Sequence, residues 1–418
     1  MKVLVIGSGG REHAICWKLS QSPLLTKLYC APANPGIAEI ALTEKIPVTD
    51  ITGLVNFAES IQADLTVVGP EVPLSLGLVD AFEEKGLKIF GPSQEAAQLE
   101  SSKVFAKEIM SVAGVPTASA KIFDDWNSLS THLKQASLPL VLKADGLAAG
   151  KGVFVCKSRD EVEEALKCMS EMKNAASRVV VEDFLDGVEI SYIVATDGTR
   201  IVPLAASHDY KRLLDKDAGP NTGGMGSVCP TPRISPAIEE FIKTDVINPI
   251  LVAMRKRGTP FKGFLYAGLM LRPSGKVQVL EFNVRLGDPE TQSILRRMEG
   301  DLLQLLVSLS QKEGSLNNIS WNEKACVCVV LAAKGYPDNP QKGQIIDGIH
   351  EAQGISDVVV FQAGTALDAS ANLLSNGGRV LNVTALGKDL KQARERAYAA
   401  CEKISFVGKH YRKDIALN

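Results

Sequence analysis

The sequence predicts an α/β protein that begins with a parallel sheet. Short apolar strands and helical segments alternate over the N-terminal residues 1–100, and each strand ends in Gly or Pro. Glycine-rich segments follow these strands, and the ligands of parallel sheets gather at the carboxyl ends of the strands. The strands are expected at Val3 to Ile6, Lys27 to Cys30, Leu65 to Val68 and Lys88 to Phe90.

The length of 418 residues predicts about three domains, since one domain takes roughly 150 residues. The expected division is an N-terminal α/β domain at 1–100, a central domain at 101–325 and a C-terminal α/β domain at 326–418. The central domain is expected to begin with a helix from Lys103 to Ala113 and to hold a glycine-rich subdomain at about 120–190. The C-terminal domain is expected to contain strands at Val358 to Phe361 and Val380 to Thr384, followed by a helix from Leu390 to Ile404.

Composition favours a small-molecule partner. A net charge of -2, a pI near 6.3 and the lack of a Lys/Arg run argue against nucleic acid or an anionic membrane. With no signal peptide or membrane-spanning run apparent, a cytoplasmic location is expected. The eight cysteines form no CxxC pair, and Cys326 and Cys328 share one face of an apolar segment, so reduced thiols in the core are expected and a structural metal is not.

The first glycine loop, Gly7-Ser8-Gly9-Gly10-Arg11-Glu12, lies between a strand and a helix. It matches a dinucleotide fingerprint poorly, because Glu12 occupies the third glycine position and no acidic residue ends the second strand. Free amides at the helix N-terminus and the charge of Arg11 instead predict a phosphate site for a substrate. A tight turn without a ligand is the alternative.

The second glycine loop runs from Ala144 to Gly152 between predicted strands at Leu140 to Lys143 and Val153 to Cys156. A strand follows it, so it is a β-flap and not a Walker or Rossmann loop. Its glycines let backbone amides approach phosphate oxygens, and Lys143 can reach the same oxygens as a point charge. A flexible hairpin with a solvated lysine is the alternative.

A predicted strand from Val179 to Leu185 follows a helix at Arg159 to Met172. The acidic and apolar corner at its end can offer backbone N–H and C=O groups to an adenine, while Phe184 and Leu185 pack on the ring. Glu189 can accept hydrogen bonds from ribose hydroxyls.

A polar segment, His208-Asp209-Tyr210-Lys211-Arg212, precedes the glycine-rich run Gly219 to Gly226. This pattern is typical of a loop that closes over a polar ligand, although a solvated surface loop has the same composition.

The segment with the most candidate ligand-binding side chains runs from Glu281 to Glu290. It follows the alternating run Lys276 to Leu280, which predicts a strand. Glu281, Asn283 and Arg285 are expected to project from one face of that strand. Carboxylate and amide oxygens suit Mg²⁺, and an Arg fork suits a phosphate or carboxylate. A solvated polar face is the alternative, but the added carboxylates of Gly287-Asp288-Pro289-Glu290 are costly unless a cation organises them.

Together these motifs resemble the ATP-grasp superfamily, and within it the chain resembles the glycinamide ribonucleotide synthetase family over essentially its whole length. The matching segments are Gly7 to His13, Lys143 to Gly152, Gly219 to Gly226 and Arg285 to Gln292. The chain departs from the family pattern at Tyr210, where many members carry His, and at Val228-Cys229, where an aromatic residue is more usual. Both departures put only local contacts in doubt.

The resemblance implies an ATP-grasp fold with a parallel N-terminal domain and a small mixed C-terminal domain. It implies that Glu281 and Asn283 hold Mg²⁺ or Mn²⁺ and that Arg285, Lys143, Asp209 and Lys211 act in catalysis. The residues implied to bind ATP are Lys103, Lys143, Gly146, Gly150, Lys151, Gly152, Glu182, Asp183, Phe184, Leu185 and Glu189. Those implied on the substrate side are Gly9, Gly10, Arg11, Glu12, Asn34, Glu71, Asn221, Thr222, Gly223, Gly224, Arg285, Gly287, Asp288 and Pro289.

The implied activity is ATP-dependent joining of glycine to 5-phosphoribosylamine by a monomeric enzyme. Its small-molecule partners would be glycine, 5-phosphoribosylamine and ATP. The alternatives are another ATP-grasp ligase of purine metabolism, using formate or bicarbonate, a nicotinamide-dependent oxidoreductase argued from the first glycine loop, and a noncatalytic binding protein.

Overall fold

The computed structural model describes residues 1–147, 152–172, 176–311 and 319–417. Helices and sheets of both parallel and antiparallel type occur among them, which confirms the α/β class. The strands are β1 (Lys2–Gly7), β2 (Lys27–Pro32), β3 (Leu42–Thr43), β4 (Leu65–Val68), β5 (Ile89–Phe90), β6 (Ala120–Phe123), β7 (Leu140–Ala144), β8 (Val153–Cys156), β9 (Val179–Asp183), β10 (Val188–Thr196), β11 (Ile201–Pro203), β12 (His208–Asp209), β13 (Arg212–Leu214), β14 (Ala218–Asn221), β15 (Gly226–Cys229), β16 (Gly263–Leu271), β17 (Val277–Asn283), β18 (Ala325–Ala332), β19 (Val358–Gln362), β20 (Thr365–Leu367), β21 (Leu373–Ser375) and β22 (Arg379–Gly387). The α-helices are α1 (Gly10–Leu19), α2 (Pro35–Ala38), α3 (Ile51–Ile61), α4 (Glu71–Ser75), α5 (Leu78–Glu84), α6 (Gln98–Ser101), α7 (Lys103–Ala113), α8 (Trp126–Gln135), α9 (Arg159–Glu171), α10 (Pro236–Phe241), α11 (Asn248–Arg257), α12 (Glu290–Arg297), α13 (Leu302–Gln311), α14 (Ile349–Gln353) and α15 (Leu390–Lys403).

The N-terminal sheet is parallel, as predicted, in the order β3-β2-β1-β4-β5. The short edge strand β3 is an addition that the sequence did not predict. Since β1 and β4 are neighbours, their carboxyl ends bring the loop after Gly7 beside the turn that leads to Glu71. This edge of the sheet faces the rest of the molecule.

The central region contains two antiparallel sheets. The sheet β6-β9-β7-β8 packs on α8 and α9 around a small core that includes Leu129, Leu142 and Val162. The second sheet has the order β11-β10-β16-β17 and shares a core with α7 and α11. Residues of both sheets, among them Lys143 of β7 and Glu281 of β17, line one cleft.

A third large sheet, β12-β15-β18-β22-β19, joins the central and C-terminal parts of the chain. Strand β15 pairs with β18, and β12 pairs with β15, so the polar segment at Asp209 is tied to the C-terminal strands. Cys326 and Cys328 lie on β18 with no exposed area, which confirms their expected place in the core. All eight cysteines are free thiols, and seven of them are buried while Cys168 is half-buried. Within the described ranges, no helix has the length and apolar character needed to cross a membrane.

A bulge in β17 decides which way its polar residues point. Val279 pairs with Leu269 and Glu281 pairs with Gly268, so Leu280 is an extra residue in the strand. Val277 and Val279 face the main core, and after the bulge Phe282 and Val284 take over that side. Without the extra residue, the two-residue period would turn Glu281 and Asn283 into the core.

Candidate active site

A cleft of about 510 Å³ lies where the parallel sheet, the two central sheets and the C-terminal sheet meet. Most of the predicted site residues line it, and they come from segments far apart in the chain. The predicted residues along its wall are Arg11, Glu71, Lys103, Lys143, Gly152, Glu182, Asp183, Phe184, Leu185, Glu189, Asp209, Lys211, Asn221, Thr222, Gly223, Glu281, Asn283, Arg285 and Asp288.

At one end of the cleft, Glu182 holds two lysines. Its carboxylate lies 2.8 Å from Lys143 Nζ and 2.9 Å from Lys107 Nζ, and Glu182 is almost fully buried. Lys143 also donates to the Leu280 carbonyl at 2.9 Å. Lys107 was not predicted, although it lies four residues after Lys103 on α7 and so shares a helix face with it.

Lys103 completes this cationic end. Ser102 caps α7, and its hydroxyl donates to Asp145 at 2.9 Å, which places the first turn of the helix beside the glycine loop. The Lys103 ammonium lies 3.4 Å from the Gly146 carbonyl. Burial lowers the pKa of Lys103, while the carboxylate of Glu281 works against that shift. The predicted Gly150 and Lys151 lie outside the described residues.

The end of β9 forms the apolar corner expected for a flat ring. Asp183, Phe184 and Leu185 line the cleft there. Leu185 packs with Ala118, Met270 and the half-buried Leu280 in a small cluster. An apolar slot next to two lysines is the arrangement that an adenine followed by phosphates requires.

The residues expected to hold a metal face this cleft from β17. The ammonium of Lys211 lies between two carboxylates, 2.8 Å from Glu189 and 3.9 Å from Glu281. Burial raises the pKa of Glu281, but Lys211, Lys143 and Lys103 outweigh it and hold that pKa below its ordinary value. An ionised carboxylate beside the amide oxygen of Asn283 is a donor set that fits Mg²⁺ or Mn²⁺.

The number of protein donors limits what kind of metal site this can be. Over the part of the chain that the structure describes, no group of three His, Cys, Asp or Glu residues is placed to hold a metal ion. Mg²⁺ bound to a nucleotide commonly takes only one or two protein ligands, so Glu281 and Asn283 would suffice to hold it.

Arg285 lies at the junction of the N-terminal and central regions. Its guanidinium is 2.9 Å from Glu100 and 3.4 Å from Glu71, and it donates to Asn283 Oδ1 at 3.1 Å. Burial works to lower the pKa of Arg285, but Glu100 and Glu71 raise it. Glu100, which the sequence did not reveal, also accepts from the Val284 amide at 2.8 Å. The arginine is thus fixed and charged where the reacting groups would meet.

In the first glycine loop, only Arg11 lines the cleft. Its guanidinium bonds Glu12 at 2.6 Å and donates to the Leu286 carbonyl at 3.1 Å. The other Glu12 oxygen accepts from the Gly9 amide at 2.6 Å, so one of the amides expected to be free for phosphate is already bonded. The charge of Arg11, more than the loop's backbone, is what this region presents to a ligand.

Several predicted substrate residues act in packing near the cleft without lining it. Asn34 accepts from the Ile37 amide and donates to the carbonyls of Ser8 and Gln362, which links the N-terminal loop to β19. A Cβ on Gly10 would come within 2.1 Å of Asn382. The predicted residues in the described ranges that do not line the cleft are Gly9, Gly10, Glu12, Asn34, Gly146, Gly224, Gly287 and Pro289.

Arg379, on β22, is a cleft residue that no motif indicated. It pairs with Asp288 at 3.4 Å, donates to the Asp288 carbonyl at 2.6 Å, and donates to the Gly223 carbonyl. The glycine-rich segment is held from the other side by Tyr336, whose hydroxyl accepts from the Gly223 amide at 2.9 Å. The C-terminal region therefore fixes two predicted substrate segments.

The two departures from the family pattern lie in structural contacts. The Tyr210 hydroxyl accepts from the Ala416 amide at 3.0 Å, and the Arg412 guanidinium lies over its ring. Cys229 is buried against Arg297.

Comparison with known proteins assigns the whole chain to one family. Models of the phosphoribosylglycinamide synthetase N domain, ATP-grasp (A) domain and C domain match residues 1–100, 101–291 and 326–418. A phosphoribosylamine–glycine ligase from Neisseria meningitidis serogroup B is 48% identical, covering 100% of this chain and 99% of the relative. A relative of the same name from Yersinia pestis is 46% identical over 99% of this chain and 98% of its own length.

Solved structures confirm the ATP-grasp fold. The crystal structure of a phosphoribosylamine–glycine ligase from Thermotoga maritima superposes with a TM-score of 0.85 at 34% identity, covering 99% of this chain and 100% of the other. The N5-carboxyaminoimidazole ribonucleotide synthetase of the same organism has a TM-score of 0.68 at 17% identity, over 97% and 99% of the two chains, and shares the fold alone. The family match over nearly all residues, together with this cleft, shows that the chain belongs to the phosphoribosylglycinamide synthetase family.

Proposed function

We propose that this protein joins glycine to the amine of 5-phosphoribosylamine at the expense of ATP, giving glycinamide ribonucleotide, ADP and phosphate. The observation that carries the proposal is the 48% identity, over the whole chain, to a relative named phosphoribosylamine–glycine ligase. The cleft supports it, because it combines an apolar slot, a cationic end and an arginine at the junction with the N-terminal sheet.

The chemistry needs an activated carboxylate. Phosphoryl transfer from ATP to glycine gives glycyl phosphate, whose phosphate is a good leaving group. The protein contributes position and charge: Lys103 and Lys143 neutralise the phosphates, and Arg285 steadies the glycine carboxylate. Holding both reactants in place can contribute roughly 7–11 kcal/mol to lowering the barrier.

The amine then attacks the acyl carbon, a carbon–nitrogen bond forms and phosphate leaves. Both reacting groups belong to the substrates, so no nucleophilic side chain is required. Glycyl phosphate hydrolyses in water, so the cleft has to exclude solvent during transfer. In the proposal, the segment from Asn221 to Gly226 and the glycine flap close over the cleft for this purpose; residues 148–151 of the flap lie outside the described residues.

Glu281 and Asn283 would hold Mg²⁺ or Mn²⁺, which supplies charge neutralisation on the ATP phosphates. The fit of one carboxylate and one amide oxygen, both facing the cleft, supports this assignment. We also propose that the protein works as a monomer in the cytoplasm.

A coupled ADP assay tests the proposal. ADP release is expected only when glycine and freshly generated 5-phosphoribosylamine are both present. Bicarbonate or formate in place of glycine should give none. Release with either of them would assign the protein to a different ATP-grasp ligase, and NADH binding without ATP turnover would favour an oxidoreductase. Glu240→Gln, on an exposed helix, is a matched control for carboxylate variants in the cleft.

A further inference from the structure

The end of the chain binds a hairpin that leads into the cleft. Strands β13 and β14 form this hairpin, which covers residues 212–221. Lys211 directly before it and Asn221, Thr222 and Gly223 at its other end all line the cleft. The amide and the hydroxyl of Thr222 both donate to the Lys211 carbonyl at 2.8 Å, so the two ends of the hairpin are joined at the cleft.

The tip of the hairpin lies in solvent in an unfavourable backbone conformation. Residues 214–220 are exposed. Lys216 and Asp217 lie in the left-handed region, with φ of 58° and 52°. Because a Cβ disfavours that region, contacts from elsewhere have to hold the tip in this shape.

Those contacts come from residues 410–416, here called the C-terminal segment. Three consecutive residues of the tip each bind one of three consecutive residues of this segment. The hydrogen bonds run from the Lys413 amide to Asp215 at 2.7 Å, from the Lys216 amide to Asp414 at 2.7 Å, and from the Arg412 guanidinium to Asp217 at 2.8 Å. The C-terminal segment therefore stabilises the tip residue by residue.

Arg412 makes the largest share of these contacts, and its side chain is only 1% exposed. Its guanidinium donates to both carboxylate oxygens of Asp414, at 2.8 and 2.7 Å, and to the Arg212 carbonyl at 3.2 Å. It also lies over the Tyr210 ring, 5.1 Å from the centroid. Asp217, in contrast, is 72% exposed. One buried cation thus contacts the hairpin at its first residue, at its tip and at the residue two positions before it.

We propose that Arg412 is a positioning residue for the reaction: through the hairpin it holds Asn221 and the residues after it closed over the cleft, so that glycyl phosphate is kept from water. The inference rests on the proposed function. Water that reaches glycyl phosphate adds to the acyl carbon and breaks its bond to the phosphate oxygen. Glycine and phosphate are then released, and ATP is consumed without product.

The coupling of ADP release to product formation tests the inference. Arg412→Met removes the charge at similar length, and Arg412→Lys keeps the charge but loses the two-pronged contact with Asp414. Asp217→Asn changes an exposed partner and leaves the buried arginine in place. Asp368→Asn is the matched control, because Asp368 also accepts from backbone amides at the tip of a two-stranded hairpin, β20–β21.

Glycine-dependent ADP release without phosphoribosylamine should rise about tenfold or more above the wild-type background in Arg412→Met, since hydrogen bonds of a charged group are lost. Arg412→Lys should give an intermediate rise. Asp217→Asn should give about a twofold rise, because its pair with Arg412 is exposed. The KM for ATP should stay within about twofold in every variant, and hydrogen exchange of the hairpin amides should quicken in the same order. Asp368→Asn should match the wild type.

ADP release that stays coupled to product in all three variants would overturn the inference, even if the hairpin amides exchanged faster. The contacts of Gly223 with Arg379 and Tyr336 would then be sufficient to fix the segment. If Arg412→Met does not fold, Arg412→Lys and Asp217→Asn still decide. Wild-type protein that releases no ADP with glycine and phosphoribosylamine together would refute the proposed function instead, so the two failures are distinguishable.

Discussion

His13 is expected to remain neutral far below the pH at which an ordinary histidine gains its proton. It follows the first glycine loop on α1, is 8% exposed, and its Nδ1 accepts from the Gln362 amide of β19 at 2.9 Å. The ring also packs edge-on against Phe361, with centroids 5.4 Å apart. Burial lowers the pKa of His13 to about 4. A proton on Nδ1 would also face the Gln362 N–H and destroy the contact.

The size of the effect follows from that value. The difference between an ordinary pKa of 6.5 and about 4 corresponds to about 3 kcal/mol between the two protonation states. Because the folded pKa is the lower one, the unfolded chain binds more protons between these values. The contribution of His13 to stability is therefore complete above pH 6.5 and is lost as the pH falls towards 4, with about 2 kcal/mol gone at pH 5.

Protein labelled with ¹³C-histidine gives five signals to follow by NMR, since the chain has five histidines. His13→Asn identifies one of them, and its amide oxygen can still accept from Gln362. The His13 signal should not titrate above pH 5, and the variant should lose less stability than the wild type between pH 7 and pH 5. A titration midpoint near 6.5 in the folded protein would refute the reasoning.

Three further predictions concern the cleft. Glu281→Ala should lower ADP formation by about 100-fold or more while the circular dichroism spectrum and melting temperature stay unchanged, and near-normal turnover would remove its metal role. Arg11→Ala should raise the KM for phosphoribosylamine far more than the KM for ATP, whereas equal losses would mean that its bonds to Glu12 and Leu286 are its whole role. Lys107→Met should raise the KM for ATP by about tenfold because Glu182 loses one of its two ammonium partners. Lys107→Arg should restore part of the affinity for ATP. An unchanged KM for ATP in both variants would show that Lys143 alone positions Glu182.

Some helices and strands could be predicted because the residues that determine them lie within or directly beside the element. The helix α7 was predicted with its observed bounds, because Ser102 caps its first turn and Gly114 ends it in the left-handed conformation. The parallel strands β1, β2, β4 and β5 were found to within about two residues, since short apolar runs bounded by Gly or Pro define them. The two-residue strand β3 carries no such signal, and it exists only because Tyr29 and Cys30 of β2 offer it an edge.

Residues that reach the cleft through long-range packing could not be found in this way. Arg379 lies 91 positions after Asp288 and meets it only because β22 joins the sheet that also holds β15. Glu100 sits in a short helix with no motif, and its role depends on Arg285 folding back onto it. For such residues the sequence shows that the side chain is charged, but it does not show which residue the side chain contacts in the folded protein.

In strand β17, the sequence correctly predicted that Glu281 and Asn283 share one face, but the direction of that face depends on a β-bulge that the alternation of residues does not reveal. Glu281 and Asn283 were expected on one face, which holds for any strand, but alternation with Val277 and Val279 would make that face the core. The extra residue Leu280 reverses it, and the same bulge has a second consequence: its carbonyl accepts from Lys143 Nζ at 2.9 Å. One inserted residue therefore turns Glu281 and Asn283, the proposed metal donors, towards the cleft and also ties their strand to the lysine of the opposite sheet. A single irregularity of the backbone thus positions the two sides of the proposed Mg²⁺–ATP site against each other.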